Sequence, residues 1–161
     1  MPRKPKADAR SVYDKALGLL ARREHSAREL KTKLAARGHK ADEAAPAIEQ
    51  LQQRQYQSDD RFAVSLARRR AAQGYGPRRI QAELKSHGMT DAAIREAVAA
   101  VEADWAAIAA AQLRRRHGPV APVDHDERSA RAGFLLRRGF DPATVRAVTR
   151  AEVDDPGEEL D

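Results

Sequence analysis

The chain has 161 residues, 42% of them hydrophobic and only 4% aromatic, with a formal charge of +6 and no cysteine. Roughly half of the hydrophobic residues are alanine, which excludes one large core, and the missing cysteines exclude disulfides, thiolate metal sites and cysteine nucleophiles. No stretch approaches the roughly 18 apolar residues of a membrane span, and the basic start MPRKPKADAR lacks the apolar run of a signal peptide, so a cytoplasmic protein away from any membrane is expected.

Ala, Leu, Arg, Glu, Gln and Lys dominate, all good helix formers, while Val and Ile are too sparse for a sheet. The expected class is all-α. After a basic arm at 1–10, Ser11 with Asp14 and Ser26 with Glu29 form capping-box patterns, which predict two helix starts. Pro46 predicts a late start for the helix after them. Ser58, Asp59 and Asp60 open the next helix, with carboxylates at its positive dipole end. Gly76 stands where Ser26 stood, and Pro77 suits a first helical turn; Thr90 and Asp91 open a further helix. HGPVAPVD at 117–124 is a longer, proline-containing loop, and Asp141 with Pro142 repeats the earlier start signal.

These elements repeat. A shift of fifty residues lays ARELKTKLAARG (27–38) over PRRIQAELKSHG (77–88), matching Leu30 with Ile80, Leu34 with Leu84 and Gly38 with Gly88. A further shift of 51 adds Leu135 and Gly139, and puts Arg131 where Leu30 and Ile80 stand; Phe134 and Phe140 are the expected replacements for the missing apolar contact. Each copy reads as a helix ending in a glycine. The apolar stripe continues beyond it, with Ala44, Ile94 and Val145 in register and Ile48 matching Val98. The predicted architecture is three tandem three-helix repeats at 11–57, 58–104 and 105–150, stacked into an elongated molecule, with an acidic tail at 151–161. Phe62, Leu66, Leu84, Ile94, Val98 and Val101 are expected in the core, and Trp105 between the second and third repeats.

Charge is segregated along the chain. The tail holds six acidic and no basic residues, so residues 1–150 carry 30 basic against 18 acidic side chains, a formal +12. Such a body attracts polyanions. Arg22 and Arg23, Arg68, Arg69 and Arg70, and Arg114, Arg115 and Arg116 fall near the end of the first helix of each repeat. Cations favour helix C-termini in any protein; their recurrence makes them candidates to bind phosphates or partner carboxylates. Arg78 and Arg79 oppose the dipole at a helix start, a placement that calls for a functional reason, and Lys85 extends the same helix. Gly74-Tyr75-Gly76-Pro77 lacks the Gly-Lys-Ser/Thr ending of a phosphate loop and reads as a tight turn, with Tyr75 either its lid, the favoured reading, or a contact to a partner. Asp124, His125, Asp126 and Glu127, with His117 nearby, are too close in sequence to converge on one metal. No nucleophile, base or triad is legible, so no enzyme, cofactor or metal is expected.

The stretch YQSDDRFAVSLARRRAAQGYGPRRIQAELKSHGM (56–89) resembles the central signature of the RecX family of RecA regulators. It carries the acidic pair Asp59 and Asp60 before Arg61-Phe62-Ala63, a basic helix, the turn Gly74-Tyr75-Gly76-Pro77, and Ile80, Glu83, Leu84 and Gly88 in the following helix. Asp104 with Trp105, and FLLRRGF at 134–140, extend the likeness. The resemblance implies tandem three-helix repeats forming a curved, monomeric protein that binds RecA or its filament on single-stranded DNA, limits filament growth, and lowers ATPase and coprotease activity during DNA repair and the SOS response. The competing reading is a helix-turn-helix-like protein acting directly on DNA; against it, TDAAIREAVAAVE (90–102) is alanine-rich and acidic, unlike a base-reading helix.

Removing residues 151–161 is expected to strengthen non-specific binding to a labelled oligonucleotide, because six carboxylates no longer compete for the basic body. Fluorescence anisotropy across a salt series checks this: affinity should fall steeply with salt in both forms, and equal affinities would refute the competition.

Overall fold

In the computed structural model residues 9–151 are described, so the expected basic arm and acidic tail lie outside the described residues except for Ala9, Arg10 and Ala151. The described residues form nine helices and no strand: α1 (Ala9–Arg22), α2 (Ala27–Ala36), α3 (Ala41–Gln53), α4 (Asp59–Ala72), α5 (Pro77–Ser86), α6 (Asp91–Ala100), α7 (Trp105–His117), α8 (His125–Arg137) and α9 (Pro142–Thr149). The heavily packed pairs all lie within consecutive triplets, and the first helix of each triplet packs most closely on the third. This is the three-by-three arrangement expected from the fifty-residue period.

Local chemistry sets the helix ends. Ser26, Ser58, Thr90, Asp104 and Asp124 each accept a hydrogen bond from the backbone N–H three residues on, at 2.8–3.2 Å, satisfying one of the orphan donors of a helix start. At the other end, α2, α4 and α8 stop in the same way. The amides of His39, Tyr75 and Phe140 reach back to the carbonyls of Leu34, Arg70 and Leu135 across the positive-φ glycines Gly38, Gly74 and Gly139. Two expectations fail at boundaries. Ser11 lies inside α1, not at its start. Pro46 lies within α3, which already begins at Ala41; Pro46 and Asp42, whose carbonyl loses its donor, are both exposed, so the defect faces solvent.

Each triplet has its own small core. Val12, Ala16, Leu19, Leu30, Leu34, Ile48 and Leu51 form the first. Phe62, Leu66, Ile80, Leu84 and Ile94 form the second, with Val98 and Val101 packed against it. The third is built on Ala109, Ala132, Leu135, Phe140 and Val145, with Phe134 against it. Its remaining large position is taken by Arg131, 7% exposed.

The two junctions between units differ in kind. Trp105 and Ile108 pack against both the second and the third cores, so that junction is partly apolar, as expected of Trp105. There the backbones also meet directly: Gly76 N–H donates to the Arg138 carbonyl and Arg78 N–H to the Gly139 carbonyl, both at 2.9 Å. A Cβ on Gly76 would lie 2.4 Å from the Gly139 carbonyl, and one on Gly139 2.5 Å from Arg79 Cβ. The junction of the first two units is polar. Ala27 N–H donates to Asp59 Oδ1 at 2.9 Å, Gln57 Nε2 to the His25 carbonyl at 3.1 Å, and Ser26 Oγ lies 2.7 Å from His87 Nδ1.

Gly139→Ala therefore combines a positive-φ strain of roughly 1–3 kcal/mol with a backbone clash, and is expected to undock the third unit. Trp105 emission should shift to the red before helicity is lost. Gly18→Ala, in a helix with open space around it, is the control and should stabilise by about 0.5–1 kcal/mol; equal melts for the two variants would show that the glycine contact does not hold the junction.

Candidate interaction surface

The candidate cations separate into those the fold uses and those it leaves open. Arg23 is held by Glu29 through both guanidinium nitrogens. Arg70 reaches Glu83 at 2.6 and 2.8 Å from the neighbouring helix, and these bonds keep the Glu83 carboxyl below its ordinary range. Arg116 stacks over Phe134 at 4.7 Å. Lys85 and Asp91 pair loosely at 3.9 Å, both well exposed, a contact worth little in water. By contrast Arg22, Arg68, Arg69, Arg114 and Arg115 are exposed, and no ion pair holds them among the described residues. They stand at or near the ends of α1, α4 and α7, the equivalent helix in each unit.

Arg78 and Arg79 are exposed as expected, and their place at the start of α5 has a structural reason. Arg78 Nε bonds Asp141 Oδ1 at 2.9 Å, while Arg79 lies over one face of Tyr75 at 4.1 Å and Arg138 over its ring at 4.3 Å. Arg138 also donates to the carbonyls of Gly74 and Gln73. Tyr75 is thus a lid locked by two cations at the second junction. Arg28, the repeat equivalent of Arg78, does the same at the first junction, where it donates to the Ser86 carbonyl at 3.0 Å. The sequence reading missed Arg28 and Arg138. The signal was present in the repeat register, which sets Arg28 on Arg78 and His87 on Arg138.

An open groove of about 830 Å³ runs along α4, lined by Glu24, Asp60, Arg61, Val64, Ser65, Arg68 and Arg69. Arg61 bridges to Glu24 at 3.0 Å and to the Gln55 carbonyl at 2.7 Å, which ties the groove to the first junction. The acidic run at the start of α8 is engaged elsewhere: Asp124 caps the helix and Glu127 pairs with Arg131. The described residues contain no group of three His, Asp or Glu placed to hold a metal, and no described helix is long and apolar enough to cross a membrane.

Residues 13–51 match the family model described as RecX, first three-helix domain, and residues 58–98 match that of RecX, second three-helix domain. A regulatory protein RecX of Xanthomonas axonopodis pv. citri is 47% identical over 141 residues, covering 88% of this chain and 87% of its own. The chain belongs to the RecX family. A second RecX, from Stenotrophomonas maltophilia, is 44% identical over 153 residues, covering 95% of this chain and 94% of its own. The crystal structure of RecX from Lactobacillus salivarius shares the fold, with a TM-score of 0.73 at 20% identity over 89% of this chain and 95% of that one. The relatives are named as regulatory proteins.

The RecX signature proves to be largely joinery. Asp59 accepts from Ala27 N–H and from Gln57, Arg61 crosses to Glu24, Gly74, Tyr75 and Gly76 make contacts of the second junction, and Pro77 opens α5. Phe62, Ile80 and Leu84 are core, Glu83 holds Arg70, and a Cβ on Gly88 would lie 3.5 Å from Arg28 Nη1. Asp60 alone of the acidic pair is free to line the groove.

Glu29 offers a test of the structural group. Burial by itself would raise its carboxyl, but the hydrogen bonds and charge of Arg23, helped by His25 and Lys33, hold it at about 2. A folded value below the unfolded one gives stability that is present above about pH 4.5 and is lost as pH falls towards 2. Glu29→Gln should lower the melting temperature at pH 7, and the gap from wild type should close below pH 3; a gap independent of pH would mean the charge is not what matters.

Proposed function

We propose that this chain binds RecA or the RecA filament on single-stranded DNA and restrains its growth, ATPase and coprotease activities. It would act in the cytoplasm as a monomeric regulator, without cofactor or chemistry of its own. Membership of a family of regulatory proteins supports the general role. The observation that carries the particular one is the set of exposed arginines Arg22, Arg68, Arg69, Arg114 and Arg115, held by no ion pair among the described residues and repeated near the ends of the equivalent helix of three stacked units. A repeating partner with regularly spaced anionic groups, such as a nucleoprotein filament, can engage such a series at several points together, each contact bidentate. Arg23, Arg70, Arg78 and Arg79 serve the units and junctions, and their contribution to binding is to hold that series in register.

Added below one molecule per RecA, the protein is expected to reduce DNA-dependent ATP hydrolysis, since blocking an end or a stretch silences many subunits. A scavenger of free DNA would need amounts comparable to the DNA sites, so titration at fixed RecA and varied DNA separates the two. Replacing Arg68, Arg69, Arg114 and Arg115 with alanine should weaken inhibition roughly tenfold or more while the circular dichroism spectrum is unchanged. Unaltered ATPase and filament length at every ratio of wild-type protein would refute this reading. A preference for one DNA sequence by orders of magnitude would favour direct action on DNA.

A further inference from the structure

Within the units, five of the six turns have four residues: 23–26, 37–40, 73–76, 87–90 and 138–141. The sixth, 118–124, has seven. Its position is not arbitrary. The turn before the second helix is the part of each unit that docks on the next. Turn 23–26 and the start of α2 bond to Gln57, Asp59, Ser86 and His87, and turn 73–76 with the start of α5 sits on Arg138, Gly139 and Asp141. The long turn occupies this docking position in the third unit, where no further unit follows among the described residues.

That turn is bonded to a cation in the core. Arg131 takes the position of Leu30 and Ile80, yet it donates to the Val120 carbonyl and to Glu127 Oε1, both at 2.9 Å. Glu127 Oε2 in turn accepts from Val123 N–H at 2.8 Å. An apolar residue suffices for the core in the other two units, and replacing a buried ion pair by a hydrophobic side chain is often neutral or stabilising, so packing does not account for Arg131. Its bonds go to the turn, and they fix Val120 and Val123 outward, 64% and 84% exposed. At the corresponding point the first junction uses Ser26, bonded to His87, and the second uses Gly76, where a Cβ would lie 2.4 Å from the partner backbone; the third unit carries Asp124 there, preceded by the projecting Val123.

Among the described residues nothing packs on the opposite end of the stack at the equivalent corner. In the second and third units the corner glycines Gly88 and Gly139 receive the preceding unit, through Arg28 and Arg79, whereas a Cβ on Gly38 at the same corner of the first unit would meet nothing within 4 Å among the described residues. A second copy could present this corner to the third unit, and such a head-to-tail contact would not close on itself but grow into a filament. We propose that turn 118–124, latched by Arg131 and Glu127, terminates the stack: it covers the docking face of the third unit and so keeps a second copy of this chain from adding head to tail.

The test replaces residues 118–124 with Gln-Gly-Tyr-Gly, a copy of turn 73–76, together with Arg131→Leu so that no buried cation is stranded. Sedimentation velocity up to about 100 μM is expected to show a monomer for wild type and concentration-dependent growth for the variant, with unchanged helicity. Adding Gly38→Asn, which tolerates positive φ but puts a side chain at the receiving corner, should return the variant to monomer. Should the shortened chain not fold, Arg131→Leu alone decides: hydrogen exchange of the Val123 amide should rise at least tenfold relative to that of Leu135, and weak self-association should appear. A self-associating wild type, a folded shortened variant that stays monomeric, association that Gly38→Asn leaves intact, or an Arg131→Leu protein lacking either change overturns the proposal.

Discussion

Everything in this molecule depends on how the start of one unit's second helix seats on the next unit. Alanine-rich triplets of this size bury too little to be secure alone, and in a linear stack the contacts between neighbours supply what each unit lacks. Arg28, Arg78 and Arg79 stand where positive charge opposes the helix dipole. What offsets that cost is reach: from the first turn, a long cationic side chain extends to the carbonyls, carboxylate or aromatic face at the joint. The same geometry explains why the turns before α2 and α5 are short, because added residues would hold the two backbones apart.

The plan of the fold was legible because it rests on local signals. A glycine four residues after a buried leucine, and a Ser, Thr or Asp three residues before the amide it caps, act within one turn, and both recur with the period. Ser11 and Pro46 misled for the same reason. Each is a good boundary residue taken singly, but α1 runs through Ser11, and an exposed proline near a helix start is tolerated when packing of Ala44, Ala47, Ile48 and Leu51 on the first core holds the helix.

The division of the arginines was not legible. A run such as Arg68-Arg69-Arg70 looks uniform in sequence, yet Arg70 faces Glu83 thirteen positions on, while its two neighbours are exposed and held by no ion pair among the described residues. Arg78 finds its partner 63 positions on, and Arg138 reaches back 64 to Gly74. Such pairings are set by the angle between helices: the repeat register marks Arg28 and Arg138 as equivalents of Arg78 and His87, but it does not say which group each one reaches. Arg131 was visible as a departure from the repeat, and only the structure shows that its charge is directed at a turn.

The contrast between a polar first junction and a partly apolar second one gives the stack a built-in order of failure. Trp105 is the sole tryptophan, and it sits where the second and third cores meet. Its fluorescence is therefore blind to the first unit coming away. An unfolding curve followed by tryptophan emission tracks only the back two-thirds of the protein, and it would look cooperative and two-state even while the front third was already loose.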